Sequence, residues 1–222
     1  MTPDFLKDSF LVFDTETAQL GDHVCEIGFS LFKGGQFVRE WGTYVKPVVP
    51  FDPEGQKVHH ITERDVEEYP TFAQVADYIY NVLNSYGLHV AYNYDYDRTV
   101  LTKEFGRLGR PFPVRPMIDP FILFKKWNKY NKGKKLTDAD AKYGIQYVGA
   151  HRACNDATAC GKVLIKMAAT RMDFPKSIDK YVIDQRKLVE EQFVDFYEYM
   201  QKVGRDLPTP PNYKHYEFPY AG

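Results

Sequence analysis

Four carboxylic acids and one histidine are the candidate catalytic residues of this sequence. Each acid lies in a segment whose other residues predict burial. Asp14 and Glu16 follow an apolar run in FLVFDTET, Asp97 lies in VAYNYDYDRTVL, and His151 and Asp156 lie in HRACNDATACGKVL. Ionised carboxylates avoid apolar surroundings unless their charge is compensated. Four of them in one place would repel one another, so their convergence implies bound divalent cations. Such a cluster beside a histidine is what metal-assisted phosphodiester hydrolysis requires, and it predicts a nuclease.

The spacing of the acids supports a shared site. Asp14 and Glu16 are two residues apart on a predicted strand, so both side chains leave the same face. Asp97 and Asp156 each begin the inward-facing stripe of a predicted helix, in register with the apolar positions that follow. The alternative interpretations are a strand end emerging into solvent and two helix N-caps, where Asp is favoured. All four acids together favour the metal site.

His151 precedes Asp156 by five residues, which is about 140° around a helix. The two side chains therefore cannot share one face of a continuous helix. We place His151 on the loop or first turn before the helix, where it can reach over the site. The alternative is a polar surface residue near a helix start.

Composition limits the remaining possibilities. A chain of 222 residues with 44% hydrophobic residues predicts one soluble domain, with room for a small appendage. The net charge of −1 provides no overall basic field, so a polyanion would have to be held by local patches and bound metal. The three cysteines show no metal-like pairing and are interpreted as small buried residues of a reducing compartment.

No targeting or membrane segment is evident in the sequence. The first ten residues, MTPDFLKDSF, lack a basic region followed by an apolar run, so no signal peptide is predicted. No stretch approaches 18 consecutive apolar residues, so no membrane span is predicted. We expect a cytoplasmic protein.

The order of predicted elements indicates an α/β fold. Three strands joined in part by the Gly34-Gly35 turn form an antiparallel meander, and strand–helix alternation follows. Helices are expected on both faces of one mixed sheet. The predicted strands are 10–13, 24–33, 36–46, 88–92 and 114–118, and the predicted helices are 72–83, 97–108, 121–127, 136–143, 153–169 and 184–203.

The three acidic segments, in this order, resemble the motifs of the DnaQ-like exonucleases, in the subgroup with a histidine in the third motif (DEDDh). FLVFDTET is similar to the first motif, VAYNYDYD to the second and HRACNDA to the third. HHIT at 59–62 is similar to a family loop with His60 in place of glycine, and IDPF and KKLTDADAKYGI match further family segments. The resemblance covers roughly residues 9–170.

The resemblance implies an RNase H-like three-layer fold and a two-metal mechanism. Asp14, Glu16 and Asp156 would hold one Mg²⁺ or Mn²⁺, with Asp14 and Asp97 serving the second ion. His151 would accept the proton from the attacking water. Single nucleotides would leave the 3′ end as 5′-monophosphates.

Substrate contacts are predicted from the resemblance and from one basic run. By resemblance, Thr15, Thr17 and Ala18 lie near the terminal sugar and phosphate, and His60 and Asn93 belong to the substrate loop and second motif. A lysine-rich run with interleaved aromatics could track and stack a single strand, or it could be a solvated loop. The residues of this run taken as substrate-binding are Lys125, Lys126 and Trp127.

The sequence predicts three segments: an exonuclease domain over 1–175, a helix packed on it within 176–203, and an extended tail over 204–222. Four prolines exclude a regular helix from the tail. The tail either wraps its own domain or is available to a partner. Its aromatic residues are Tyr213, Tyr216, Phe218 and Tyr220.

Three alternatives stay open at the level of function. A haloacid-dehalogenase phosphatase would need Asp where Glu16 stands, and a non-catalytic binding module would tolerate loss of an acid that this chain retains. An exonuclease directed at RNA shares all the motifs, and contact with the 2′-OH would separate it from one directed at DNA. The predicted partner is a nucleic acid with a single-stranded 3′ end. A polymerase or another replication or repair protein, and a second copy in a homodimer, are further candidates.

Overall fold

The computed structural model describes residues 3–146 and 149–216, and within these ranges one mixed sheet of five strands organises the molecule. The strand order is β3-β2-β1-β4-β5. β1 pairs antiparallel with β2 and β2 with β3, whereas β1, β4 and β5 run parallel. The bounds are β1 Phe10–Gln19, β2 Asp22–Lys33, β3 Gln36–Tyr44, β4 His89–Val90 and β5 Met117–Ile118. The predicted meander followed by parallel strands is confirmed.

Helices cover both faces of the sheet, as predicted. Their bounds are α1 Pro53–His59, α2 Glu63–Val66, α3 Phe72–Asn84, α4 Tyr94–Arg107, α5 Pro120–Trp127, α6 Leu136–Tyr143, α7 Ala153–Thr170 and α8 Ile178–Lys202. None of these helices of the described ranges is both long and apolar enough to cross a bilayer.

The central strand β1 separates two hydrophobic cores. Leu11 and Phe13 pack with residues of α3 and α4, whereas Phe10 and Val12 pack with residues of α5, α6 and α7. Because side chains alternate along a strand, even-numbered residues of β1 face α7 and odd-numbered residues face α4. This alternation continues beyond the apolar run and decides where the following polar residues point.

Several element boundaries differ from the predictions. Strands β4 and β5 are shorter than the predicted 88–92 and 114–118, and β5 begins directly after Pro116, which has no N–H to donate to the sheet. The last helix begins at Ile178 and not at 184, because the Ser177 hydroxyl accepts the Lys180 N–H at 3.2 Å and caps it. Helices α1 and α2 lie between β3 and α3, in a region where none of the predicted helices falls.

Helix α8 and the tail contact the remainder of the chain. Tyr181 and Val189 of α8 are buried in the two cores. The tail is not extended throughout, since residues 213–216 form a 3₁₀ turn whose Tyr216 side chain is buried. Phe218 and Tyr220 lie outside the described residues. The division into segments 1–175, 176–203 and 204–222 stays a prediction.

Helix α7 begins against the backbone of β2, and Gly28 makes this contact close. A Cβ atom built on Gly28 would lie 2.2 Å from the backbone of Ala153 and Cys154. Any larger residue must therefore move the start of α7 away from the sheet, because neither backbone can give way locally.

We expect Gly28→Ala to lower the free energy of unfolding by about 1–3 kcal/mol, the usual cost of overpacking a close contact. The matched control is Gly106→Ala in α4, where an added Cβ meets nothing within 4 Å. Because alanine favours the helix, this control should be neutral or stabilising by up to about 1 kcal/mol. Urea denaturation measures both variants, and equal stability of Gly28→Ala and wild type would contradict the packing argument.

Candidate active site

Because side chains alternate along β1, its two acids lie on one face of the strand and Thr15 lies on the other. Asp14 and Glu16 follow the even-numbered residues that face α7, whereas Thr15 points towards α4. There the Thr15 N–H and hydroxyl both donate to Asp97 Oδ1 at 2.8 Å. A single short segment therefore carries two carboxylates and fixes a third.

The start of helix α4 places Asp97 in the site. Asn93 adopts a left-handed conformation with φ of 66°, which turns the chain sharply from β4 into the helix. The buried Asp119 carboxylate accepts the N–H groups of Asn93 at 3.0 Å and Tyr94 at 3.1 Å, and so caps α4 from a neighbouring element. Asp97 is therefore in the first turn of α4 and is not its N-cap.

Before helix α7, His151 lies outside the helix, as predicted, and has a φ of 63°. The adjacent Arg152 donates to the buried Glu26 carboxylate, with Nη2 and Oε1 2.9 Å apart. The other Glu26 oxygen accepts the Ala153 N–H at 3.1 Å. Glu26 thus holds both the turn that carries His151 and the first turn of the helix that carries Asp156.

All five residues that the sequence singled out for chemistry line one cavity of about 600 Å³. Thr15, Asn93 and Tyr96 line it as well, together with Lys134 and Lys135. The members of the acid–histidine set are Asp14, Glu16, Asp97, His151 and Asp156. The structure therefore brings together residues that are far apart in the sequence.

Burial and mutual repulsion make this cavity unfavourable for ionised carboxylates. Burial, together with Asp97, Asp156 and Glu16, raises the pKa of Asp14 well above its usual value. Burial and neighbouring acids likewise raise the pKa of Glu16 to about 8 and that of Asp156 to about 7. The pKa of Asp97 rises to about 7 through burial, although its hydrogen bonds from Thr15 act in the opposite direction. A bound cation would compensate the charge of these groups.

The donor geometry fits a divalent ion. One ligand atom each from Glu16, His151 and Asp156 lies within 4.8 Å of the others. Asp156 Oδ1 is buried and has no hydrogen-bond partner among the residues that the structure describes. Carboxylate oxygens suit Mg²⁺ and Mn²⁺, whereas imidazole suits zinc and the later transition metals, so the acids of the set are the groups that match these ions. The residues present therefore fit the ions that the sequence implied.

Three of the predicted substrate residues lie away from the cavity that the acid–histidine set lines. Thr17 is buried and its hydroxyl lies 2.8 Å from the Tyr96 hydroxyl, while Ala18 is fully buried in a small core. His60 is exposed and closes α1 in a left-handed conformation, donating its N–H to Gln56 O. None of these three lines the 600 Å³ cavity.

The three residues of the basic run that were predicted to bind substrate lie in two different environments. Lys125 and Lys126 line a second cavity beside the first. Trp127 lines neither cavity, because its Nε1 donates to Asp173 at 2.7 Å and its ring packs under Arg171. The structure therefore does not bring Trp127 to the predicted substrate surface.

Sequence reasoning missed Glu26 and Asp119, which hold the site residues in place. The signal for Glu26 was an acid in the apolar strand segment VCEIGF. Asp119 precedes a proline at the end of a predicted strand, a common capping arrangement. Neither pattern could indicate which distant backbone groups these acids accept.

Curated relatives match almost the whole chain. The 3′-5′ exonuclease DinG of Staphylococcus aureus strain MRSA252 is 26% identical over 216 residues, covering 94% of this chain and 23% of the relative. DinG of strain USA300 matches with the same identity and coverage. The chain therefore spans about a quarter of the length of these relatives.

Solved nuclease structures share the fold at low sequence identity. Exonuclease X in complex with 5′ overhanging duplex DNA superposes with a TM-score of 0.62 at 21% identity, covering 78% of this chain and 96% of that chain. Escherichia coli exonuclease I in complex with a dA16 oligonucleotide superposes with a TM-score of 0.66 at 16% identity, covering 81% of this chain and 44% of that chain. The nuclease domain of 3′hExo, a DEDDh family member bound to rAMP, superposes with a TM-score of 0.62 at 18% identity, covering 73% of this chain and 92% of that chain.

The match to a known family covers the site and the sheet that builds it. The family described as RNase_T, exonuclease, matches residues 11–164, which is more than half of the chain and includes every member of the acid–histidine set. The chain therefore belongs to the RNase_T exonuclease family.

Proposed function

We propose that this chain is a divalent-metal-dependent 3′–5′ exonuclease that releases 5′-mononucleotides, with single-stranded DNA as its preferred substrate. The observation that carries the proposal is the convergence of four acids and His151 on one cavity of about 600 Å³. The family match and the names of the curated relatives support the direction of attack. A replication or repair partner and a homodimer stay predictions.

Two ions would be held by the buried acids, one by Asp14, Glu16 and Asp156 and the other by Asp14 and Asp97. Such ions supply positive charge that makes water more acidic and offsets charge developing on the phosphate oxygens. The chain itself holds these carboxylates between β1, α4 and α7, with Asp97 buried and the other three half-buried, and it positions Asp97 through Thr15.

His151 would accept the proton of the attacking water on an imidazole nitrogen. Burial, with contributions from Lys135 and His60, lowers the pKa of His151 below its usual value. The ring is therefore neutral at physiological pH, as a general base must be. Glu26 holds the adjacent Arg152 and Ala153, and so restricts where the His151 turn can lie.

The proposal predicts a specific pattern of degradation. With Mg²⁺ or Mn²⁺, the protein should shorten 5′-labelled single-stranded DNA into a ladder and release a labelled mononucleotide from 3′-labelled strands, and EDTA should stop both. Asp14→Asn should reduce the rate by orders of magnitude, whereas Glu68→Gln, at an exposed acid remote from the cavity, should not.

The same assay includes duplex DNA and RNA of equal sequence. Faster degradation of RNA would reassign the substrate and leave the chemistry intact. Degradation from the 5′ end, or an Asp14→Asn variant with near-full activity, would contradict the proposal.

We expect acid repulsion to weaken the metal-free fold as pH rises. Carboxyl groups whose folded-state pKa is raised to about 7 or 8 destabilise the folded state progressively between about pH 4, where unfolded carboxyls titrate, and pH 8. In EDTA, Asp156→Asn should therefore gain stability over wild type at pH 8 and much less at pH 5. Millimolar Mg²⁺ should stabilise wild type more than the variant.

Urea denaturation at the two pH values measures this difference, with Glu68→Gln as a control that should follow wild type throughout. If Asp156→Asn were equally destabilised at both pH values, or if Mg²⁺ left the wild-type transition unchanged, the metal site would be wrongly assigned.

His151 should control the acidic limb of the pH–rate profile. His151→Ala should lower kcat by roughly 10²–10⁴, the usual contribution of general base catalysis, and His151→Gln should be nearly as slow because an amide cannot accept the proton. In wild type the limb should have its midpoint below about 6.5, since the pKa of His151 is lowered. Binding of DNA in Ca²⁺ should change little.

The control is His23→Asn, which removes an imidazole from a residue that lines neither cavity and keeps a side chain that tolerates its positive φ. Wild-type turnover and an unchanged profile in His151→Ala would place the base elsewhere.

A further inference from the structure

A second cavity of about 820 Å³ opens directly beside the acid–histidine cavity. It lies between α5 and the last helix, α8, and it shares Asn93, Phe121 and Lys134 with the first cavity. A nucleic acid strand that leaves the acid–histidine cavity across these shared residues enters the second cavity without crossing another helix or strand. We refer to the second cavity as the α5–α8 groove.

The walls of this groove differ in character. The α5 side presents Lys125 and Lys126, with Lys125 Nζ lying 4.3 Å from the centroid of the Phe121 ring. Exposed aromatic side chains lie along the rest of the groove: Tyr130 is 94% exposed, Phe196 48% and Tyr199 54%. Large aromatic surfaces that remain in water contribute little to folding, so a ligand-binding role is a better explanation of their position.

Four lysines and three acids line the groove, and two of the three acids accept from a neighbouring side chain. Asp95 accepts from His215 at 2.6 Å, and Asp195 accepts from Lys129 at 2.6 Å. Lys126 is exposed and has no ion-pair partner within the described residues. Free ammonium groups beside aromatic faces are the combination that holds single-stranded nucleic acid, with phosphates on the cations and bases stacked on the rings.

We propose that the α5–α8 groove binds the nucleotides immediately 5′ of the terminal one, an inference that rests on the proposed exonuclease function. Tyr130 and Phe196 stack on the bases, and Lys126 contacts the phosphate backbone. Helix α8 lies beyond residues 11–164, so the wall of the groove that carries Phe196 is outside the part of the chain that matches the exonuclease family, whereas Lys126 and Tyr130 lie within it. The groove selects an unpaired strand, because stacking requires bases that are free of a complementary strand.

The test compares a substrate that fills only the acidic cavity with one that also reaches the groove. The p-nitrophenyl ester of thymidine 5′-monophosphate needs only the first site, whereas a single-stranded 10-mer occupies both. Tyr130→Ala and Phe196→Ala should each raise KM for the 10-mer by about tenfold, the usual effect of losing one stacked base. Hydrolysis of the ester should stay as in wild type.

Charge is tested separately through salt dependence. Lys126→Gln should weaken 10-mer binding in Ca²⁺ and make the plot of log affinity against log salt shallower by about 0.7, the value for one phosphate of a single strand. The aromatic variants should leave this slope unchanged. The matched controls are Tyr78→Ala and Lys166→Gln, which alter an exposed aromatic and an exposed lysine that do not line the groove.

The outcomes separate the two proposals. If wild type cleaves neither substrate, the exonuclease function fails, and the groove proposal fails with it. If wild type cleaves both and all groove variants keep the wild-type KM and salt slope, the groove does not bind the strand. Size-exclusion chromatography checks the other occupant: dissociation of a wild-type dimer in Phe196→Ala, without an effect on KM, would assign the groove to a second copy and overturn the proposal.

Discussion

The repulsion between buried carboxylates is the constraint on which the rest of this structure depends. Asp14, Glu16, Asp97 and Asp156 meet where the hydrophobic part of β1 ends, and burial raises the pKa of each. A fold tolerates such a cluster only if surrounding packing is stable enough to hold the acids together until a cation compensates them. Two separate cores, one on each side of β1, provide that packing.

The contacts that hold the catalytic acids in place are made to the backbone of the helices that carry them as well as to side chains. Asp119 caps the first turn of α4, and Glu26 holds the turn before α7, so each helix that carries an acid is anchored by a different buried carboxylate. Gly28 allows α7 to approach β2 closely. The acids are therefore fixed by residues that do not themselves line the cavity, a requirement for a site that must hold its geometry against repulsion.

The C-terminal part of the chain is tied to the same framework. Gln185 of α8 accepts the Asp119 N–H at 3.1 Å, and the Tyr216 hydroxyl donates to Asp119 Oδ2 at 3.3 Å. Asp119 in turn caps the helix that carries Asp97. The segment beyond the family match therefore contacts the residues that support the site, with Asp119 bonded to both α8 and the tail, and it forms a wall of the adjoining groove.

Sequence alone determined the features that depend on local chemistry. The buried strand, the meander, the acids and the position of His151 outside its helix all follow from apolar patterning, turn residues and the avoidance of unpaired charge. Features that depend on long-range contacts could not be predicted: the capping of α4 by Asp119, the Glu26–Arg152 pair and the separation of Trp127 from Lys126. Each of these results from packing between residues distant in the chain, and a sequence pattern does not encode which distant backbone group a carboxylate will meet.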